Sequence, residues 1–430
     1  MAEMMIGRRD FLGSLAALGA IGALPQAVLA KAKAGDWAAV QAYLDATVAK
    51  GNIPGLAAAI GRGTAAPVFL NAGTLAKDSK VKVNEDSLWR VYSMTKPITG
   101  MAAMLLVEDG DLKLDQPIAD FIPGFAKMQV LTSPETSLDS RPAVGLITVR
   151  HLLTHTAGLG YSIVSKGPLL EAYQEEGILP ARVSRTRSAG MLGMIDHPTA
   201  PSLKEFAERL AKLPLIADPG TKWSYSVSLD LLGRVIEIAA GRPFDAFVQK
   251  RLFDPLGMKS SFWQVPAKEA RRLTTNYGVS PKGAVALDPG ATSIYLDPPA
   301  FPFGGAGLVM SARDYDRFLQ MLAGYGNAGG HQIMKTATAQ RAMSNLLPAG
   351  VDTAGSWMVG QGFGAGGRVS LTDAPGGQSA GTFGWGGAAA TIAWVDPVRG
   401  LRASGFAQYM PDQAYGFSEG FAKSVYAALK

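Results

Sequence analysis

The stretch Leu88-Trp89-Arg90-Val91-Tyr92-Ser93-Met94-Thr95-Lys96-Pro97-Ile98-Thr99-Gly100-Met101-Ala102-Ala103-Met104-Leu105-Leu106-Val107-Glu108-Asp109 changes character in its middle. Leu88 to Tyr92 is an apolar, strand-like run. From Met94 to Asp109 the residues Ile98, Met101, Met104 and Leu105 recur at helical spacing, and Gly110 follows as a stop. Ser93 therefore stands at a helix N-terminus, with Lys96 one turn further on the same face. A serine hydroxyl is a weak nucleophile until a base takes its proton, and an S-x-x-K pattern puts an amine within reach of it. The free N–H groups and the dipole of the helix N-terminus favour an oxyanion at the same place. Met101 and Met104 read as core residues of this helix rather than as ligands.

Outward from this junction the chain alternates in texture. Asp36 to Lys50 has helical periodicity, and Leu56 to Ile60, Pro67 to Asn71 and the alternating Lys80-Val81-Lys82-Val83 read as a short antiparallel meander. After Gly110 helices dominate to about residue 265, the clearest being Val149 to Leu153, Leu203 to Leu213, Leu229 to Ala240 and Phe244 to Leu252. Then Gly304 to Leu308 leads into a helix with Ser311 and Asp314 at capping-box spacing. Strands return at Thr391 to Asp396 and Leu401 to Gln408, and an amphipathic helix, Ser418 to Leu429, follows. The pattern implies an α+β or α/β two-layer fold: an antiparallel sheet flanked by helices, built from residues 33–92 and about 300–430, with an all-helical domain inserted over about 93–299.

Other chemistry-bearing motifs fail on context. Ser79-Lys80-Val81-Lys82 also fits S-x-x-K, but in an alternating strand positions three apart face opposite ways. Gly377-Gln378-Ser379-Ala380-Gly381 fits G-x-S-x-G, yet none of the four histidines, His151, His155, His197 and His331, follows it as a nucleophile elbow requires. Gly362 to Gly367 fits G-x-G-x-x-G, but Arg368-Val369-Ser370-Leu371 behind it reads as a strand, so a flexible hairpin is expected there. His151 and His155 are four apart on a helix, but Leu152 stands where a metalloprotease has glutamate, so no metal is expected.

Three segments together resemble the serine β-lactamase family: Ser93-Met94-Thr95-Lys96-Pro97-Ile98-Thr99, Val149-Arg150-His151-Leu152-Leu153-Thr154-His155-Thr156-Ala157-Gly158-Leu159, and Tyr225-Ser226-Val227. Within it the likeness is greatest to the class C-like carboxylesterases, known as family VIII esterases. The resemblance implies a β-lactamase-like fold and a serine nucleophile, Ser93, served by Lys96 and by the phenol of Tyr225, which matches the start of the family's Y-x-N motif. At the place of the family's K-T-G strand stands Trp385-Gly386-Gly387-Ala388, which implies an oxyanion hole from the N–H groups of Ser93 and Ala388. Substrate contacts are expected from Trp385, Gly386, Gly387 and Val227. Two departures matter. Val227 replaces the asparagine of Y-x-N, and Trp385 replaces a cation that would pair with a substrate carboxylate. A flat apolar wall suits an uncharged ester, so ester hydrolysis is expected ahead of β-lactam or D-alanyl peptide hydrolysis. Acyl transfer to another acceptor shares the same acyl-enzyme, and a binding protein without chemistry is disfavoured because Ser93, Lys96 and Tyr225 are all present.

Composition closes off further classes. Charged residues make up 18% of the chain and hydrophobic ones 47%, as in a globular protein. The net charge of +6 comes from scattered Lys and Arg, which gives no nucleic-acid patch. With no cysteine, thiol chemistry and disulfides are excluded. Arg8-Arg9-Asp10-Phe11-Leu12, the uncharged stretch Gly13 to Ala23 and the small-residue site Val28-Leu29-Ala30 read as a twin-arginine export signal over residues 1–32, which implies a periplasmic or secreted protein. The apolar run falls short of the ~20 residues of a membrane span, so no stable anchor is expected. No cofactor is implied, and the expected ligand is a small-molecule ester.

Overall fold

A computed structural model describes residues 37–179, 181–185, 199–281, 283–375 and 377–429, and the expected export signal lies outside the described residues. Seven strands form an antiparallel sheet in the order Gln361–Phe363, Arg368–Ser370, Phe383–Gly387, Thr391–Asp396, Leu401–Phe406, Gly55–Arg62, Val68–Gly73. The two ends of the chain meet where Gly55–Arg62 pairs with Leu401–Phe406, Ala59 opposite Ser404. The Leu56-Ala57-Ala58-Ala59-Ile60 run has no polar side because both of its faces are covered. On one face Leu56, Ala58 and Ile60 meet the helices Ala38–Ala49 and Phe417–Ala427 through Trp37, Val40, Leu44, Phe417 and Phe421. On the other, Ala57 and Phe406 meet the helix Ala312–Ala323 and a core that runs on through the serine helix, Thr95–Asp109.

Helices fill the middle of the chain as the periodicity predicts, including Val149–Leu153, Leu203–Leu210, Ser228–Ala240 and Phe244–Val248. Met101 and Met104 are fully buried in the shared core. The middle segment is nevertheless not all-helical. Ser261–Phe262 pairs with Val309–Ser311, and the hairpin of Asn276–Ser280 and Gly283–Asp288 is joined in parallel by Tyr409–Met410. The strands Ser261–Phe262 and Tyr409–Met410 are two residues long and pair with distant segments, so no local alternation announces them.

Three local readings are corrected. Lys80 to Val83 is not a strand: Lys82 makes one isolated bridge to Thr74, and Val83 is the only buried residue of the four, too little to hold a strand face. Ser311 does cap the following helix, accepting from the Asp314 N–H at 3.1 Å. The Asp314 carboxylate, however, turns outward to Ser260 N–H and the Ser261 hydroxyl, so no capping box closes. The Gly362 to Gly367 hairpin forms between Gln361–Phe363 and Arg368–Ser370, but it is buried rather than flexible. It lies directly on the serine helix: a Cβ at Gly366 would sit 2.3 Å from the Lys96 carbonyl oxygen, so only glycine permits the approach.

Candidate active site

Tyr92–Met94 forms one tight 3-10 turn ahead of the serine helix, and Tyr92 is held at φ 42° to make it. A buried tyrosine tolerates that left-handed conformation only where packing over-determines it, and here the strain turns Ser93 out of the strand Leu88–Arg90 toward a cavity. The serine remains 9% exposed, whereas Lys96 is fully buried.

Two side chains converge on the serine oxygen. Lys96 Nζ donates to Ser93 Oγ at 3.2 Å, and the Tyr225 hydroxyl donates to it at 2.7 Å. Lys96 also donates to the Gly305 carbonyl at 2.8 Å and lies over the rings of Tyr225 and Tyr161, at 4.6 and 5.5 Å from their centroids. Among the described residues no carboxylate touches it. The nearest acid is one step away: Asp230 Oδ1 accepts from Gly305 N–H at 2.9 Å, and Oδ2 is buried without a partner. Burial pushes the Asp230 carboxyl up to about 6 against the pull of the Lys96 charge.

Tyr225 is held from behind. His155 packs on its ring at 4.8 Å, and His155 Nδ1 accepts from Ser226 N–H at 3.2 Å, which fixes the backbone beside the tyrosine. Burial, with the Lys96 charge, holds His155 well below the usual histidine range, so the ring is neutral. His151 is committed elsewhere: its Nδ1 accepts from Thr148 N–H and its own N–H bonds the Thr148 hydroxyl, a reciprocal cap on Val149–Leu153. Burial pushes it down to about 4. Among the described residues no group of His, Asp and Glu could hold a metal ion.

The cavity measures about 390 Å³, and its walls include Ser93, Tyr225, Trp385, Gly386, Gly387 and Ala388. Trp385 stacks obliquely on Tyr225 at 5.8 Å and meets Phe363 edge-on at 5.2 Å. Ala388 opens a three-residue turn that ends on Ala390 at φ 58° and links Phe383–Gly387 to Thr391–Asp396. Gly387 must lack a side chain, since a Cβ there would fall 2.3 Å from the Val91 carbonyl just behind the serine. Val227 is a correction. It is fully buried in the core and absent from the cavity walls, because it starts the helix Ser228–Ala240 with its side chain packed inward.

Of the G-x-S-x-G match, Gln378 lines the cavity but Ser379 does not join the serine centre. Ser379 is buried in a loop, its N–H on the Asp396 carboxylate and its hydroxyl accepting from Arg399. Sequence reasoning missed Asp230, Gly305, Tyr161 and Trp357. Asp230 left a signal: a single carboxylate inside Ser228-Leu229-Asp230-Leu231-Leu232 must find a buried polar partner.

The fold is that of the serine hydrolases of the β-lactamase kind, and the comparisons agree. The family model described as Beta-lactamase matches residues 40–423, and the chain belongs to that family. It is 33% identical over 346 residues to Esterase EstB of Burkholderia gladioli, covering 76% of this chain and 79% of the other. It is 30% identical over 355 residues to Lovastatin esterase of Penicillium rubens, covering 78% and 83%. Among solved structures, EstCE1, a hydrolase with promiscuous acyltransferase activity, superposes with TM-score 0.72 at 24% identity over 90% of this chain and 97% of that one. The chain is thus an enzyme of the β-lactamase-fold hydrolase and esterase kind.

Proposed function

We propose that this enzyme hydrolyses carboxylic esters through an acyl-enzyme on Ser93. The observation that carries the reading is the serine hydroxyl held between the Lys96 amine and the Tyr225 phenol beside an aromatic wall, Trp385, with no cation on the strand. Ser93 Oγ attacks the ester carbonyl carbon, and the carbonyl oxygen becomes an oxyanion facing the N–H groups of Ser93 and Ala388. Either Lys96 or Tyr225, once deprotonated, accepts the hydroxyl proton along its existing contact. The relay then delivers that proton to the leaving alcohol as the C–O bond breaks. Water enters by the reverse path, the acid product leaves, and Ser93 regains its proton. Residues 1–32 direct export in this reading, and no cofactor takes part.

A second reading, transfer of the acyl group to an alcohol instead of water, is favoured by the promiscuous acyltransferase activity of the structural neighbour EstCE1. Hydrolysis of short-chain p-nitrophenyl esters and of a chromogenic cephalosporin, with Ser93→Ala alongside, tests the proposal. Ester turnover lost in Ser93→Ala, with little cephalosporin turnover, is the expected result. Dominant cephalosporin turnover would replace the esterase reading by β-lactamase, and ester turnover indifferent to Ser93→Ala would overturn the site.

A further inference from the structure

A second cavity of about 430 Å³ adjoins the catalytic one, and two residues, Tyr225 and Trp357, line both. Trp357 is the partition. Its indole meets the Tyr225 ring at 5.7 Å and the Trp223 ring at 5.6 Å, yet 59% of it is exposed, an unusual position for a tryptophan unless something covers it. The inner wall of this outer cavity is apolar, with Leu169, Ile216 and Trp223. Its rim carries two exposed lysines, Lys166 and Lys222, from separate segments, and one exposed carboxylate, Glu135. Among the described residues neither lysine is in an ion pair or a side-chain hydrogen bond. A trough that mixes these apolar side chains with Ser165, Ser224 and Ser356, begins at Tyr225 and ends at the two lysines is shaped for a chain with an anionic end.

We propose that the outer cavity receives the anionic terminus of the ester substrate, with an apolar stretch of the substrate lying across Trp357 and a carboxylate meeting Lys166 and Lys222. The inference rests on Ser93-dependent ester hydrolysis and names the substrate class for it. Arg368 also lines the catalytic cavity, but it is half-buried and donates to the Gln378 side-chain oxygen at 3.1 Å, whereas Lys166 and Lys222 are exposed. Glu135 at the same rim makes the pocket less attractive to an anion than two lysines alone, which keeps the expected preference moderate.

The test uses the mature protein and ester pairs that differ only in a terminal charge. For acid on the acyl side the pair is mono-p-nitrophenyl adipate and p-nitrophenyl hexanoate. For acid on the alcohol side it is 4-(butanoyloxy)benzoate and phenyl butanoate. The expected result is a preference of about fivefold or more in kcat/KM for the acidic member of at least one pair, carried by KM and shrinking as salt is raised. In Lys166→Glu with Lys222→Glu the preference disappears or reverses, while turnover of the neutral member stays within about twofold of the parent. Neutral esters turned over with no charge preference in either pair would overturn this inference alone. A preference that survives the double substitution would also overturn it, by placing the anion elsewhere. Failure to turn over any ester would overturn the esterase reading and this inference with it.

Discussion

Two kinds of buried cation stand side by side in this molecule. Arg90 is fully buried and completely compensated: its guanidinium bonds the Asp288 carboxylate at 2.7 Å, and also the Thr274 carbonyl, the Ser293 hydroxyl and Gln408. Arg402 repeats the pattern on Asp316 and on the carbonyls of Gly63 and Ala65. Lys96 is equally buried, but it is given one carbonyl, one serine hydroxyl and two aromatic faces, with its nearest acid held off behind Gly305. A guanidinium stays charged at any ordinary pH and here is spent on pairing, whereas an amine is chemically able to exchange a proton with the hydroxyl it touches. The difference distinguishes a structural charge from a candidate working one, and four experiments act on it.

The largest effect is on turnover. Lys96→Met and Lys96→Arg should each cost at least about 10⁴-fold in ester kcat/KM, as Ser93→Ala should, because methionine and arginine offer no proton acceptor. Activity retained in Lys96→Arg would erase the distinction. Next is stability. Arg90→Met strands Asp288 in the interior and should lower the unfolding free energy by about 3–5 kcal/mol, whereas Lys96→Met, which strands nothing ionised in contact, should change it by less than about 1 kcal/mol. Urea titrations of the two variants make the comparison directly.

Asp230 sharpens the comparison through pH. Its folded value of about 6 lies above the ordinary 3.8, so the neutral acid is the form that suits the fold. Its contribution is fully present below about pH 4 and is lost as pH rises through 6. Relative to Asp230→Asn, the parent should therefore lose up to about 3 kcal/mol between those limits, read from unfolding midpoints at pH 4.5 and 7.5. Equal midpoint shifts in both proteins would show that Asp230 is ionised throughout. The smallest effect concerns specificity: Trp385→Lys, which restores a cation on the strand, should raise kcat/KM for an anionic cephalosporin about tenfold and lower that for a neutral ester a few-fold.

Much of the site was legible in one dimension because its parts are local. Ser93 and Lys96 lie within a single helical turn, and the periodicity of Ile98, Met101 and Met104 was enough to place them. The helix cap at Ser311 was legible for the same reason, while the destination of the Asp314 carboxylate was not, since Ser260 and Ser261 lie some fifty positions upstream. Lys80 to Val83 failed in the opposite direction: the alternation was present, but nothing was brought against it to bury.

By itself the sequence placed Ser93 and Lys96 one helical turn apart and marked the alternation of strand and helix regions, because each is written in spacings shorter than a few turns, while the candidate roles of Ser93, Lys96 and Trp385 came from the family resemblance. Only the tertiary structure decided that Tyr225, 132 positions from Ser93, closes to 2.7 Å of its oxygen. It also decided that Asp230 reaches Lys96 only through Gly305, that Val227 turns into the core, and that Trp357 divides two cavities. Those outcomes depend on which distant surfaces pack together, and burial, which sets both the contacts and the charges, is a property of the packed molecule rather than of any segment.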